Sequence, residues 1–535
     1  MCEKIKEFFN KNHNWIFLLV FLVYGFLLFF NFFRQEIINW DEGYFLTVAH
    51  TYSNVIRTLF DEPTYLLGAD YYVNLISNYG NVYTAARPTY VILTSLVDAV
   101  WPSEYSTRLV SALAGIVSFL FFYRLLDFYK INKTVKLAGA MLFGLSPLML
   151  IYARLGLSQI LSATLLLLSI YQLFIYLEKN NDRNLKLFSL GLSLLLLSHY
   201  NTIFSVGTLI IYALVILFYK KKYKEVGLLG FFFVLPILVW EGVTRVGYYL
   251  AITKQFISMN GEQKIYSYIQ EFFEQLGRAD SSRGLIIDQP LYYPRLLLEN
   301  ENIFFLVLLI IGIYLFTRKI KEFQYHVPLI VGMSSLALFS LAPLKFPRNI
   351  ILILPILYLY SIVALDYLTK KIINVNLQKV FLALLCFLFF LINSPLFYNI
   401  LNLDGGYRKT ARKIMDVFPE DRIILLTSSA PIWRNYLPGY KVEPIFEPEA
   451  WKEAKKKNLK ILVAGDNFME IEKHRNYYSS YESKIVSEVA SNIVEVKPIM
   501  LDFFYKPEKE VRDLLKKSEL RYIRIYEIVN NNPSL

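Results

Sequence analysis

The sequence predicts a polytopic α-helical membrane protein that has its N-terminus inside and a small α/β domain outside the membrane at its C-terminal end. Three observations predict this fold class. The chain is apolar: of its 535 residues 55% are hydrophobic and only 19% are charged, and the mean hydropathy is +0.39. Its apolar residues fall into about eleven stretches of nearly bilayer-spanning length. From about residue 401 the composition changes to Lys- and Glu-rich segments that alternate with short β-branched runs.

The apolar stretches are the predicted transmembrane helices, because a helix needs about 20 apolar residues to cross a bilayer. They are residues 15–33, 106–127, 135–152, 158–177, 186–199, 202–219, 226–244, 302–317, 326–344, 349–368 and 377–399. The first follows a basic N-terminus and has no small-residue cleavage site. We therefore interpret it as a retained span and not as a removed signal peptide.

The Lys and Arg residues of the short connections set the predicted orientation, because cytoplasmic loops are enriched in positive charge. Alternate connections are rich in them: "YKINKTVK", "EKNNDRNLK", "YKKKYK", "TRKIKEF" and "TKKIINVNLQK". The connections between these, "ARLGLSQ", "SHYN" and "APLKFPR", contain few. The basic N-terminus is therefore predicted to lie inside and the C-terminus outside. Topology also explains the net charge of +12 better than nucleic-acid binding does.

The predicted domains are a transmembrane domain, residues 1–400, and an extracytoplasmic α/β domain, residues 401–535. Two long outer loops belong to the first, residues 34–105 with interfacial helices and residues 245–301. Strand-like runs such as "RIILLT" and "LKILVAG" alternate with helical charge patterns in the second. The two cysteines, Cys2 and Cys386, provide neither a disulfide framework nor a CxxC metal site.

The polar residues at the outer ends of the spans are the candidate functional residues. The sequence "INWDEGYF" places the carboxylate pair Asp41 and Glu42 just after the first span. The other candidates on this face are Arg87, Arg154, Gln159, His199, Asn201, Glu241, Arg245, Tyr292, Tyr293, Arg295, Lys345 and Arg348. Carboxylates, cations and tyrosines on one face suit transfer from a lipid-linked phosphosugar, because Arg and Lys neutralise a phosphate and a carboxylate activates a hydroxyl. The sequence has no GxGxxG or GxxxxGK[ST] motif for a soluble nucleotide.

Five segments, taken in order, carry a resemblance to a known family. They are "WDEGYF", "ARPTYVIL", "STRLVSALAGIVSFLFFYRLL", "LSPLMLIYARLGLSQI" and "APLKFPRNIILILPILYLY", and together they cover most of residues 15–370. In these segments the chain resembles the C-type (GT-C) membrane glycosyltransferases. It is nearest to the branch that contains the dolichyl-phosphate-mannose protein mannosyltransferases and the lipid A aminoarabinose transferases.

The resemblance implies an inverting enzyme of the plasma or inner membrane that takes a single sugar from a polyprenyl monophosphate and transfers it to a protein, lipid or glycan. Asp41 matches the catalytic base and Glu42 the second carboxylate of the acidic motif. Arg87, Lys345 and Arg348 match cations that bind the donor phosphate. Candidate substrate contacts are Arg154, Gln159, His199, Tyr292 and Tyr293. Gln159 and "SHYN" depart from the family pattern. These departures affect the expected sugar and acceptor more than the expected fold.

Each candidate also has a structural interpretation. A DE pair is often a helix cap, Lys345 and Arg348 suit headgroup contacts, and Arg154 suits a helix end. His199 suits a structural hydrogen bond, and the tyrosines an interfacial belt. Two alternative functions remain, an oligosaccharyltransferase and a transporter or flippase. The absence of a "WWDYG"-like signature from residues 401–535 counts against the oligosaccharyltransferase. No cofactor is predicted, and a divalent metal is left open.

Overall fold

The computed structural model describes residues 13–61, 87–253, 267–270, 273, 291–341, 345–466, 474–503, 511–513, 515–516 and 518–529. The chain divides into two compact units. The first contains Met1–Phe29, Val48–Pro102 and Arg108–Ser394, and the second contains Phe30–Thr47, Ser103–Thr107 and Pro395–Leu535. The second unit therefore includes two segments of the loop predicted for residues 34–105, in addition to the C-terminal residues.

The α-helices, numbered in chain order, are α1 (His13–Phe29), α2 (Trp40–Asp61), α3 (Pro88–Val100), α4 (Ser106–Leu125), α5 (Lys133–Gly144), α6 (Pro147–Arg154), α7 (Gln159–Lys179), α8 (Asp182–Ser198), α9 (Ile203–Tyr219), α10 (Tyr223–Thr253), α11 (Tyr292–Arg318), α12 (Phe323–Leu341), α13 (Pro347–Ile351), α14 (Leu354–Lys370), α15 (Val375–Leu401), α16 (Tyr407–Val417), α17 (Ala430–Tyr436), α18 (Pro448–Lys456) and α19 (Lys497–Phe503). The strands are β1 (Ile423–Thr427), β2 (Lys441–Pro444), β3 (Lys460–Gly465), β4 (Ser483–Ala490) and β5 (Tyr522–Ile528).

Eight helices within the described ranges are long and apolar enough to cross a membrane. A ninth span results if α5 and α6, which meet at a 52° bend, are counted as one. The remaining predicted ranges, 186–199 and 349–368, overlap α8 and α14, which have 17 residues each. The polytopic helical fold class is confirmed, and the number of eleven spans stays a prediction.

The bend between α5 and α6 has a local cause. Pro147 lacks a main-chain N–H, so it ends one helix and suits the first turn of the next. The Ser146 side chain caps that turn by accepting a hydrogen bond from Met149 N at 3.2 Å. The break therefore exposes polar main-chain groups among apolar helices, and these groups need partners there.

Close helix packing in the first unit depends on a glycine at one contact. A Cβ atom at Gly312 in α11 would lie 2.2 Å from the main-chain oxygen of Tyr360 in α14. No other residue fits at this distance. Small residues at helix contacts let the backbones approach and gain dispersion energy where no hydrophobic effect operates between helices.

The C-terminal part of the second unit is the predicted α/β domain. Its sheet has the order β2-β1-β3-β5-β4. The strand β1 pairs in parallel with β2 and β3, and β5 pairs antiparallel with β3 and β4. All five residues of β1 are buried, as expected for a central strand covered on both faces. Ile424, Leu426, Ile461 and Val463 form the core with residues of the adjoining segments.

Candidate active site

A pocket in the first unit brings together three of the residues predicted from the sequence, Gln159, His199 and Arg348. Each comes from a break between helices: Gln159 begins α7, His199 follows α8, and Arg348 lies in the short helix α13. The residues that line the pocket are Gln159, Ser162, His199, Asn201, Thr202, Phe339, Arg348, Asn349 and Leu352. Polar side chains from separate segments therefore converge on one cavity at the ends of apolar helices.

Polar atoms in this pocket have unused hydrogen-bonding capacity. Gln159 and His199 are each only 5% exposed. Both side-chain polar atoms of Gln159, and Nε2 of His199, have no hydrogen-bond partner among the described residues. A buried polar group without a partner costs about 1–3 kcal/mol, so such groups are rare unless a ligand or water pairs with them. Their presence in one pocket is typical of a binding site for a polar ligand.

Positive charge surrounds the His199 ring. Arg348 is buried, with its guanidinium 4.7 Å from the centroid of the Phe346 ring. Arg348 and Arg87 both act electrostatically on His199. Arg87 precedes α3, and α3 is joined to α8 by a hydrogen bond of 3.0 Å from Thr89 Oγ1 to Leu194 O. The pocket therefore combines one lining cation, Arg348, and the electrostatic influence of Arg87 with neutral hydrogen-bonding groups, which suits an anionic ligand that also carries hydroxyl groups.

The short segment that carries Arg348 is held by a tyrosine and two asparagines. Tyr293 Oη donates to Phe346 O at 3.4 Å, and Asn349 Nδ2 donates to Tyr293 Oη at 3.5 Å. Asn349 Oδ1 also accepts from Asn201 Nδ2 at 3.1 Å. Tyr293 is fully buried and does not line the pocket, and its contacts with Phe346 and Asn349 hold the segment that carries Arg348.

Three other predicted residues lie outside the pocket. Arg154 Nη1 donates to Leu27 O at 2.7 Å and to Leu28 O at 2.9 Å, so its guanidinium binds the last carbonyls of α1. This is the helix-end role named as its structural interpretation. Tyr292 is buried against Tyr293, with the ring centroids 5.0 Å apart. Lys345 is partly exposed three residues before Arg348 and does not line the pocket.

The acidic motif belongs to the second unit, where its two carboxylates differ in environment. Both lie in the first turn of α2. Asn39 Oδ1 accepts a hydrogen bond from Asp41 N at 2.8 Å, and Glu42 Oε2 accepts one from Ile38 N at 3.3 Å. Glu42 is fully buried, so it forms a reciprocal cap of the helix together with Asn39. Asp41 is the carboxylate of the pair that solvent reaches.

Two buried carboxylates in the first unit were not among the predicted residues. Glu301 accepts hydrogen bonds from Ser146 Oγ at 2.7 Å, from Leu148 N at 3.2 Å and from Tyr358 Oη. Asp98 accepts one from Ser53 Oγ at 2.5 Å and contacts His50 Nδ1 at 2.8 Å. No group of three or more His, Cys, Asp or Glu side chains within the described ranges is arranged to hold a metal ion.

Comparisons with known proteins give the following likenesses. A family model described as dolichyl-phosphate-mannose-protein mannosyltransferase matches residues 89–240. No curated protein sequence matches the chain. ArnT from Cupriavidus metallidurans bound to undecaprenyl phosphate has a TM-score of 0.57 at 10% identity, covering 97% of this chain and 98% of that chain. ArnT from the same organism in the apo state has a TM-score of 0.56 at 11% identity, covering 88% and 95%.

The Archaeoglobus fulgidus oligosaccharyltransferase, solved with Zn and sulfate, has a TM-score of 0.53 at 13% identity, covering 86% of this chain and 69% of that chain. At these identities the likeness concerns the fold. It extends over nearly the whole chain in the ArnT comparison, including the C-terminal domain. The resemblance to the C-type membrane glycosyltransferases that the motifs predict is therefore confirmed, and the chain has the ArnT-like fold.

Proposed function

We propose that this protein is an integral-membrane glycosyltransferase that moves a single sugar from a polyprenyl monophosphate, dolichyl or undecaprenyl, to an acceptor at the outer face of the membrane. The observation that carries the proposal is the pocket of Gln159, His199 and Arg348, in which buried polar atoms without partners lie beside a buried cation. The match to the mannosyltransferase model and the fold of an undecaprenyl-phosphate-bound relative support the same donor class.

In this proposal the cations bind the phosphate of the donor. Arg348 and Arg87 neutralise the charge that grows on the phosphate as the bond to the sugar breaks, and Lys345 adds long-range attraction for the anionic headgroup. Gln159 and Nε2 of His199 form hydrogen bonds with the sugar hydroxyls, as donors or as acceptors. Such groups discriminate between sugars strongly, because a missing hydroxyl leaves them unpaired again.

Asp41 is the proposed base. As the partly exposed member of the pair, it accepts the proton of the acceptor hydroxyl while that oxygen attacks the sugar carbon. A single displacement of this kind inverts the configuration at that carbon. Glu42 supports Asp41 by fixing the start of the helix. The predicted topology, with basic loops inside, places this chemistry on the outer side of the plasma or inner membrane.

The test is donor binding and transfer with purified protein in detergent and a panel of short-chain polyprenyl phosphates that carry different sugars. We expect the double variant Lys345→Ala/Arg348→Ala to lose about tenfold or more in donor affinity, because a hydrogen bond to a charged group contributes about 1.5–3 kcal/mol. We expect Asp41→Asn to bind donor normally and to lose transfer.

The matched control is Lys179→Ala/Arg183→Ala, which removes two exposed cations from a predicted inner loop. If it weakens binding as much as the first variant, the phosphate site is not at Arg348. Transfer that persists in Asp41→Asn would refute the role of the base. A polyprenyl pyrophosphate carrying an oligosaccharide is included as a second donor class, and its preferred use would favour oligosaccharide transfer instead.

A further inference from the structure

The short helix α17 lies at the edge of the sheet where α/β domains usually bind ligands. From β1 the chain passes to β2 on one side and then to β3 on the other, and both pair with β1 in parallel. The strand order therefore reverses between β1 and β3. In open α/β sheets the crevice at the carboxyl ends of two such strands is the common ligand site.

Side chains of the domain itself fill this crevice. Ser429, after β1, donates a hydrogen bond from Oγ to Asp466 Oδ2, after β3. Trp433 Nε1 donates to the same oxygen at 3.2 Å. Ser429, Trp433 and Asp466 have relative exposures of 0%, 0% and 1%. The buried carboxylate therefore binds α17 at two points and fixes it on the edge of the sheet.

The fixed helix contacts the acidic motif through Asn435. The side chain of Asn435 donates from Nδ2 to Gly43 O at 3.1 Å and lies 3.4 Å from Thr47 Oγ1. Its position is set by a further hydrogen bond of 2.7 Å to Pro431 O. One amide thus joins α17 to the first two turns of α2.

The glycine of "WDEGYF" is required at this contact. A Cβ atom at Gly43 would lie 2.7 Å from Pro431 O and 2.8 Å from Pro431 C. These are main-chain atoms, so a side chain cannot be accommodated by a change of rotamer. Gly43 lies inside a helix, where Ala is the better helix former by about 1 kcal/mol, so packing and not helix formation explains the glycine.

The segment before the motif is held by the same domain. Ile37 N donates to Tyr436 Oη at 2.6 Å, and Arg408 Nη2 donates to Gln35 O at 3.4 Å. Arg408 also pairs with Glu104 at 2.7 Å. The chain on the N-terminal side of Asp41 and the helix turn on its C-terminal side are therefore both fixed to the C-terminal part of the second unit.

We propose that the helix Ala430–Tyr436 is a positioning element for the acidic motif, with Asn435 as the positioning residue that holds Asp41 in its productive orientation. The inference rests on the proposed role of Asp41 in transfer. It also gives the C-terminal domain a function: the crevice residues Ser429 and Asp466 hold α17 at the edge of the sheet, and α17 in turn holds the acidic motif. A displacement of about 1 Å in a reacting group costs on the order of 100-fold in rate, so a loosened motif slows transfer without changing donor binding.

The test compares Asn435→Ala and Gly43→Ala with the control Ile445→Val in the full-length protein. Ile445 is buried in the core cluster of the same domain, so the control loosens the domain without removing a contact to the motif. Three quantities are measured for each: donor Kd, transfer kcat, and amide hydrogen exchange of residues 37–47. We expect both motif variants to lower kcat by about 10- to 100-fold, to leave donor Kd within about twofold and to accelerate exchange. The control should change none of the three.

Exchange separates this inference from the proposed function, because it does not depend on activity. Unchanged exchange in Asn435→Ala and Gly43→Ala would overturn the positioning contact. Faster exchange with an unchanged kcat would show that the contact exists but does not position Asp41 for transfer, and this would overturn the proposal. A wild-type protein that never transfers sugar would defeat the proposed function, and faster exchange in the two variants but not in the control would still support the contact.

Discussion

Glu301 and Gln159 are both buried polar side chains in the membrane-spanning unit, but their surroundings differ in one respect. Glu301 is completely buried, and its two oxygens accept three hydrogen bonds. Gln159 is almost as buried, yet its amide oxygen and nitrogen have no partner within the described part of the chain. The two side chains are therefore similarly buried, but Glu301 has hydrogen-bonding partners and Gln159 has none among the described residues.

The difference separates a structural role from a binding role. Glu301 pairs with the polar groups exposed where α5 and α6 break, and the next residue, Asn302, has a φ of 71° at a second break, within α11. Asn302 Oδ1 caps the helix that follows by accepting from Phe304 N at 3.0 Å. Glu301 thus stabilises the fold at these two breaks. At Gln159 the protein bears the cost of an unpaired amide, and in the proposed function a ligand recovers this cost.

The largest effect that the comparison predicts is at Glu301. Glu301→Ala leaves Ser146 Oγ, Leu148 N and Tyr358 Oη without their acceptor among apolar helices, and we expect a loss of about 3–5 kcal/mol in the free energy of unfolding. The measurement is thermal or denaturant unfolding in detergent. Donor affinity of the protein that remains folded should stay within about twofold.

Glu301→Gln is the matched variant. An amide oxygen at the position of Oε1 still accepts from Ser146 and Leu148, and an amide nitrogen at the position of Oε2 donates to the Tyr358 hydroxyl, which then acts as acceptor. Most of the stability should therefore return. If Glu301→Gln is as unstable as Glu301→Ala, the hydrogen bonds are not what Glu301 contributes.

A smaller effect of opposite sign is expected at Gln159. Gln159→Leu removes an unpaired buried amide, so the free energy of unfolding should rise by about 1 kcal/mol, while donor affinity falls several-fold through the lost hydrogen bonds. The two measurements are the unfolding transition and the donor Kd. A gain in stability together with a loss of affinity is the signature of a binding group.

Ser193→Ala provides the control for Gln159→Leu. Ser193 Oγ is also buried without a partner in the described part of the chain, but Ser193 does not line the pocket. Removing this one unpaired hydroxyl should leave stability unchanged or raise it by less than Gln159→Leu does, and donor affinity should not change. A loss of affinity in Ser193→Ala would show that the binding effect at Gln159 is an indirect result of helix packing.

The sequence analysis named Gln159, His199 and Arg348 as candidate residues but did not name Glu301, for a physical reason. Gln159, His199 and Arg348 interrupt apolar runs at their ends, where a polar residue is easily recognised. Glu301 lies in "ENEN" beside a long polar loop, and there a buried carboxylate has the same local pattern as a solvated one. Only the break between α5 and α6 and the break within α11 place it inside.

The fold was predicted from hydropathy, since the length of each apolar run follows from the thickness of the membrane. Every predicted range overlaps a helix of the structure. The contact of Gly43 with Pro431 was not predicted, because it joins residues far apart in the chain and no local periodicity encodes it. The sequence therefore indicated Asp41 and Glu42 as candidates, but only the structure distinguishes the partly exposed carboxylate from the buried one that caps the helix.

The smallest expected effect concerns Glu36. This buried carboxylate is only partly hydrogen-bonded, so in this respect it is intermediate between Glu301 and Gln159. Its Oε2 has no partner among the described residues, while N–H groups of Tyr407 and Arg408 donate to the carboxylate. Burial, and then the charge of Asp404, raise the pKa of Glu36 from 4.5 to about 7, which outweighs the lowering by Arg408 and these N–H groups. The folded protein therefore retains a proton between these values that the unfolded chain has already lost.

The sign of the pH dependence follows from this raised pKa. The stabilising proton is fully present below pH 4.5 and is lost as the pH rises through about 7. Between about pH 6 and pH 8 the free energy of unfolding of the second unit should fall by about 1.4 kcal/mol, the equivalent of one pKa unit.

Amide hydrogen exchange of residues 35–47 at both pH values, corrected for intrinsic rates, measures this loss of stability. Glu36→Gln keeps an acceptor for the two N–H groups and cannot ionise, so its corrected exchange should not change with pH. An equal pH dependence in the wild type and in Glu36→Gln would assign the titration to another group.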